Sequence, residues 1–174
     1  MKEIYSWVPW FRELAKKIED RGEAYLIEKA KEVDWGNSRS LLEYGDDNID
    51  PFSFFYFLAQ KNTANQRELV YASVNKVFAI GPNPPETGWG NTFIIPTPTP
   101  NTAALFHDGK NFNPASLWKL FGQAVKDKPH VKAETFHEAL NIPYVGVIKL
   151  TQCLFLINPQ SFTPIDKAFR ILQA

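Results

Sequence analysis

DPFSFFYFLAQ, residues 50–60, decides the fold. Asp50 is a helix-capping residue type, and Pro51 suits the first helical position, where its missing N–H costs nothing. The residues that follow are apolar on almost every side. A helix of that kind is buried all round and serves as the rod on which others pack. The expectation is a mainly α, compact multi-helix domain formed by residues 1–174 as one unit.

The flanking sequence supplies the other helices. Before the rod, Ser6 is a candidate N-cap with Pro9 in the first turn. Trp7, Trp10, Phe11, Leu14, Ala15 and Ile18 then follow the rhythm of one helical face. Gly22 interrupts, a second helix is expected over about 23–33, and the glycine-containing, polar stretch 34–48 reads as a loop. After the rod, Asn62 to Asn65 forms a break, and helical spacing resumes over 66–79 with Val70, Val74, Val77 and Phe78. Asn113-Pro114 repeats the cap-plus-proline start for a helix to about Lys126. A short helix is expected over about 133–140.

Between these elements, residues 81–114 change character. Seven of the 13 prolines lie there, at 82, 84, 85, 96, 98, 100 and 114. Only Phe93-Ile94-Ile95 looks like a strand, which gives the fold its minor β content. Long loops within one domain are often functional, and a proline-stiffened surface wrap is the alternative.

Bulk composition narrows the class. The chain has 44% hydrophobic and 22% charged residues, an ordinary globular balance, with an excess of aromatics: 14 Phe, 6 Tyr and 5 Trp. Net charge is zero, but residues 1–50 carry −4 and residues 51–174 carry +4. That is a modest basic bias, well short of a strongly basic nucleic-acid binder. Cys153 is the only cysteine, so no intrachain disulfide can form, and its apolar surroundings suit a buried hydrophobe. No secretory signal or apolar stretch of membrane-spanning length occurs, so a cytoplasmic protein is expected, with no membrane partner.

Chemistry concentrates in FHEALNIPYVGVIKLTQCLFLINPQSFTPID, residues 136–166. A helix ending at Leu140 is followed by the turn Ile142-Pro143-Tyr144-Val145-Gly146 and a helix from Val147 to about Ile157. The turn resembles that of the helix-hairpin-helix family, a hydrophobe, Pro, Gly, Val, Gly. Tyr144 stands at the first glycine and Gly146 at the second, within an element spanning 133–158. The resemblance implies that Gly146 and the following N–H groups meet a DNA phosphate. Lys149 is then expected to add a point charge. DNA glycosylases of that superfamily carry a catalytic aspartate at a similar distance downstream, which makes Asp166 a candidate. Asp166 also reads as the N-cap of KAFRILQ.

Other chemistries lack their signatures. No Gly-x-x-x-x-Gly-Lys-Ser/Thr occurs, so no phosphate loop of that type is present. His107, His130 and His137 are scattered, without partners at metal spacing, and no metal or other cofactor is expected. Asp46, Asp47 and Asp50 read as a solvated loop plus a cap, with a cation site as the alternative.

Four stretches, VPWFRELAKKI (8–18), NIDPFSFFYFLAQKN (48–62), LWKLFGQAV (117–125) and IPYVGVIKLTQCLFLINPQSFTPID (142–166), resemble the N-terminal region of McrB-like proteins. Those are AAA+ GTPases of modification-dependent restriction systems. The resemblance implies a DNA-binding specificity module in phage defence, reading modified DNA ahead of a GTP-hydrolysing motor domain, with a McrC-type nuclease subunit as partner. The chain would then be a fragment of a longer one and no enzyme by itself. Phosphates would meet Gly146, Lys149, Tyr144, Lys167 and Arg170, with Lys61, Arg67 or Lys110 on an adjoining face. A flipped base needs an aromatic pocket, for which Trp35 and Trp89, with Asn91 or Asp108 at the base edge, are the candidates. Two alternatives stand beside this reading: a protein-interaction module gripping another subunit through residues 81–113, and a glycosylase-like enzyme centred on Asp166.

Overall fold

The computed structural model describes residues 7–36, 48–60, 63–85, 105–107 and 114–165. Six helices form within them: α1 (Val8–Glu32), α2 (Pro51–Ala59), α3 (Ala64–Val77), α4 (Pro114–Ala124), α5 (Ala133–Leu140) and α6 (Val147–Ile157). The fold is mainly α, and among the described residues every regular element is a helix. The expected strand at 93–95 lies outside them, as do Asp46 and Asp47.

α2 is the central rod, with all nine of its residues buried. Asp50 caps it as the sequence predicts, its carboxylate accepting from the Ser53 N–H at 2.9 Å. The rod packs against α3, α4 and α6; α1 lies on α6, and α4 also holds α5. Rings fill the centre: Phe11 meets Phe55 with centroids 6.0 Å apart, and Phe52 meets Phe121 at 6.1 Å. Aromatic side chains bury the largest apolar areas per residue, which is how a domain of this size stabilises so dense a core.

The predicted stripe on α1, Trp7 through Ile18, is buried throughout. Its cap position falls on Trp7 rather than Ser6, and no side chain caps it. Gly22 interrupts the helix as expected, at φ 79° and ψ −169°, so the second half leaves in a new direction. Thr63 caps α3 by accepting from Gln66 N–H at 3.2 Å.

Long-range polar contacts tie the helix ends together. Arg12 donates to the carbonyl of Ile157 at 3.1 Å, closing the C-terminal end of α6 from α1. Asn158 donates to the carbonyls of Ala124 and Lys126, both at 3.0 Å, closing the end of α4. Orphan carbonyls at helix ends need such partners. These two side chains tie the C-terminal end of α6 to α1 and to the end of α4.

Candidate nucleic-acid interface

α5 and α6 are joined by residues 141–146, the turn singled out in the sequence. The α5 helix ends at Asn141, whose N–H reaches the carbonyl of His137 at 3.0 Å. Ile142 N–H then bonds the Ala139 carbonyl at 3.2 Å, and Val145 N–H closes a reverse turn on the Ile142 carbonyl at 3.1 Å. Ile142 and Val145 point inward and are buried, whereas Asn141, Pro143, Tyr144 and Gly146 face solvent. The apolar pair anchors the turn, and the residues between and beside it form an exposed rim.

Tyr144 is the third residue of this reverse turn and has φ 70°. That left-handed backbone is where a turn ordinarily takes glycine. The tyrosine therefore adopts a conformation that favours glycine, and its side chain is 67% exposed. Gly146 has no such requirement: its φ is −88° and ψ 156°, values any residue adopts. The left-handed position of the turn thus falls on Tyr144 and not on Gly146. What Gly146 contributes is room, since a Cβ there would meet nothing within 4 Å.

Gly146 occupies the N-cap of α6 without a side-chain cap, and Leu150 is the first amide to bond back to it, at 3.0 Å. The earlier N–H groups of the turn stand at the positive end of the helix, a ready arrangement for an anion.

Lys149 does not join them. It is buried, its Nζ donates to the carbonyl of Leu105, and its ammonium lies 4.3 Å from the Phe106 ring centroid and 5.2 Å from that of Tyr56. Burial lowers its pKa to about 8, with Cys153 and Asp50 acting the other way. The reason is register: Lys149 shares the inward stripe of α6 with Leu150, Cys153, Leu156 and Ile157. Its place one helical turn before the apolar Cys153 was the available signal.

Trp35 is likewise inside. Its indole N–H donates to the Ala30 carbonyl at 3.1 Å, and its ring packs edgewise on Phe57 at 5.1 Å and Phe54 at 6.0 Å. It is a core ring and not the wall of an open pocket. Arg67 is half-buried on α3, one turn from Tyr71, and is not part of the α5–α6 hairpin. Lys61, Trp89, Asn91, Asp108, Lys110, Asp166, Lys167 and Arg170 lie outside the described residues. On the hairpin's flank, Lys119 of α4 pairs with Glu138 of α5 at 3.2 Å.

Cys153 is buried as expected, with its thiol 3.6 Å from the Phe52 carbonyl. Among the described residues no group of His, Cys, Asp or Glu could hold a metal ion, and no helix is long and apolar enough to cross a membrane.

The model of a protein family, the domain of unknown function DUF8425, matches residues 7–172, and the chain belongs to that family. No curated protein and no solved structure matches the chain.

Proposed function

We propose that this member of the DUF8425 family is a DNA-binding module that takes a backbone phosphate at the turn between α5 and α6. One observation carries the reading: an exposed rim, Asn141, Pro143, Tyr144 and Gly146, stands over an uncapped helix start and is anchored from below by Ile142 and Val145. Backbone amides at such an end hold an anion without a lysine. With Lys149 turned inward, the contact is made by main chain and by the Tyr144 ring. Contacts of this sort position DNA and do not read its sequence.

The resemblance to McrB-like N-terminal regions supports the finer reading. The module would present modified DNA to an AAA+ motor domain in the same chain and a McrC-type nuclease subunit, carrying no catalysis or cofactor of its own. A second reading, a protein-interaction surface, is favoured by the exposure of Tyr144 at 67% and Leu69 at 43%, the large apolar side chains left in solvent among the described residues.

Titration of methylated and unmodified duplexes at two salt concentrations separates the two. The DNA reading expects binding that weakens as salt rises and a loss of about ten-fold in Tyr144→Ala. Absence of binding at low salt to either duplex would overturn it and leave the protein partner.

A further inference from the structure

The inward face of α6 and the first turn of α2 meet the three-residue segment Leu105–His107. Leu105 supplies the carbonyl that accepts from Lys149. Phe106 is fully buried against Phe52 and Tyr56, and its N–H donates to Ser53 Oγ at 2.9 Å. Ser53 in turn donates its hydroxyl proton to Asp50. His107 Nε2 lies 3.1 Å from the Asn48 carbonyl.

An ammonium has three N–H donors. Among the described residues Lys149 reaches one acceptor, the Leu105 carbonyl, with ring faces on two other sides. The groups that face it are Asp50 and Tyr56 from the α2 region and Cys153 from its own helix, while His107 of the segment acts on Asp50. No carboxylate lies within ion-pair distance among the described residues. A buried charge so sparsely partnered favours hydration.

We propose that Leu105–His107 is a proton-linked clasp, docked on α2 and α6 over Lys149, whose release to water restores a hydrated ammonium. The sign follows from proton affinity. Docked, burial brings Lys149 down to about 8; released, it returns toward its ordinary value of 10.5. Between those values the open form binds more protons, so the docked form gains as pH rises through that window. Below it both forms are charged and the balance is flat. Burial raises the Cys153 thiol well above its ordinary value, so it stays neutral over most of this window.

Limited subtilisin cleavage of the whole chain, scored by mass spectrometry at the Leu105–Phe106 and Phe106–His107 bonds and normalised to a reference peptide, tests the clasp. Wild type is expected to be cut at a nearly constant rate below about pH 7, about two-fold more slowly by pH 8 and at least ten-fold more slowly by pH 9.5. Lys149→Met is expected to be cut more slowly at pH 7.5 and to show no such change. A wild-type profile that is flat across pH 7 to 9.5 would overturn the proposal. Should Lys149→Met lose its helical signal, an NMR titration of lysine Cε in wild type decides. One lysine must titrate well below the rest, and its absence sinks the idea.

Discussion

Tyr144 stands in the left-handed backbone region at φ 70°, two residues ahead of a glycine, Gly146, whose own φ is −88°. The glycine and the conformation that favours glycine are thus offset along the turn. A left-handed residue with a side chain costs about 1–2 kcal/mol, and glycine loses about 0.4–1 kcal/mol of that advantage through the freedom of its unfolded chain. Tyr144→Gly is therefore expected to stabilise the fold by up to about 1.6 kcal/mol, and Tyr144→Val, being β-branched, to destabilise it. Chemical denaturation of the two variants checks the order. If valine proves the more stable, the turn does not hold its left-handed conformation in solution.

Gly146→Asp separates stability from binding. An aspartate at an N-cap accepts from the first free amides and is a few tenths of a kcal/mol better than glycine there, and a side chain at this position has open space. The same carboxylate repels a phosphate. The expected result is an unchanged or slightly raised Tm with duplex binding weakened by about ten-fold or more, equivalent to roughly 1.4 kcal/mol. Undiminished DNA binding would remove the helix start from the interface.

Asp50 links the fold to pH. It is completely buried, and burial raises its carboxyl above the ordinary 3.8, against the opposing pull of its Ser53 hydrogen bonds and of His107. The folded chain therefore holds this proton to higher pH than the unfolded chain does. The stabilisation is fully present below 3.8 and is lost as pH rises through the folded value. Asp50→Asn, neutral at every pH, is expected to cost most in acid and progressively less toward neutrality. Asp50→Ala also loses the cap, at about 0.5–2 kcal/mol. Urea denaturation of both variants from pH 4 to 7 measures this, and a penalty for Asp50→Asn that grows with pH would refute the assignment.

Asn158 ties two segments with one amide. Its Nδ2 serves the carbonyls of Ala124 and Lys126 from a position 1% exposed. Removing the donor leaves two acceptors with less satisfaction, so Asn158→Ala is expected to cost about 1–3 kcal/mol. Asn158→Asp should cost more at neutral pH, because a carboxylate offers those carbonyls no proton. Equal losses in the two variants, measured by thermal unfolding, would contradict the hydrogen-bond geometry.

Much of the architecture was legible in the sequence because its signals are local. Asp50-Pro51 before an all-apolar run marks the start of α2 and its burial together, and the α1 stripe is a simple helical period. The limits of α5 and α6 follow from the turn residues between them. The site was legible in position but not in chemistry. The register of α6 puts Lys149 on the inward stripe, a signal its charge overrides in the sequence, but the carbonyl that receives it, at Leu105, lies 44 residues away in the chain, and no periodicity reports such a partner. Trp35 follows a helix end and so reads as a loop ring, yet Phe54 and Phe57 close over it. The left-handed conformation of Tyr144 runs against its side chain, within a turn closed by the Val145 N–H on the Ile142 carbonyl and buried at both of those residues.

Gly22, where α1 breaks, carries a different kind of constraint. With φ 79° and ψ −169° it lies in a region essentially reserved for glycine, although a side chain there would touch nothing within 4 Å. The restriction is local to the backbone: packed neighbours leave room for a side chain, but at this φ an L-residue's Cβ would crowd its own flanking peptide groups. Crowding by a packed neighbour can be relieved when it moves aside, whereas crowding within the backbone itself has no neighbour to adjust. The corner of α1 is thus a position where no compensating substitution elsewhere in the core can rescue a change.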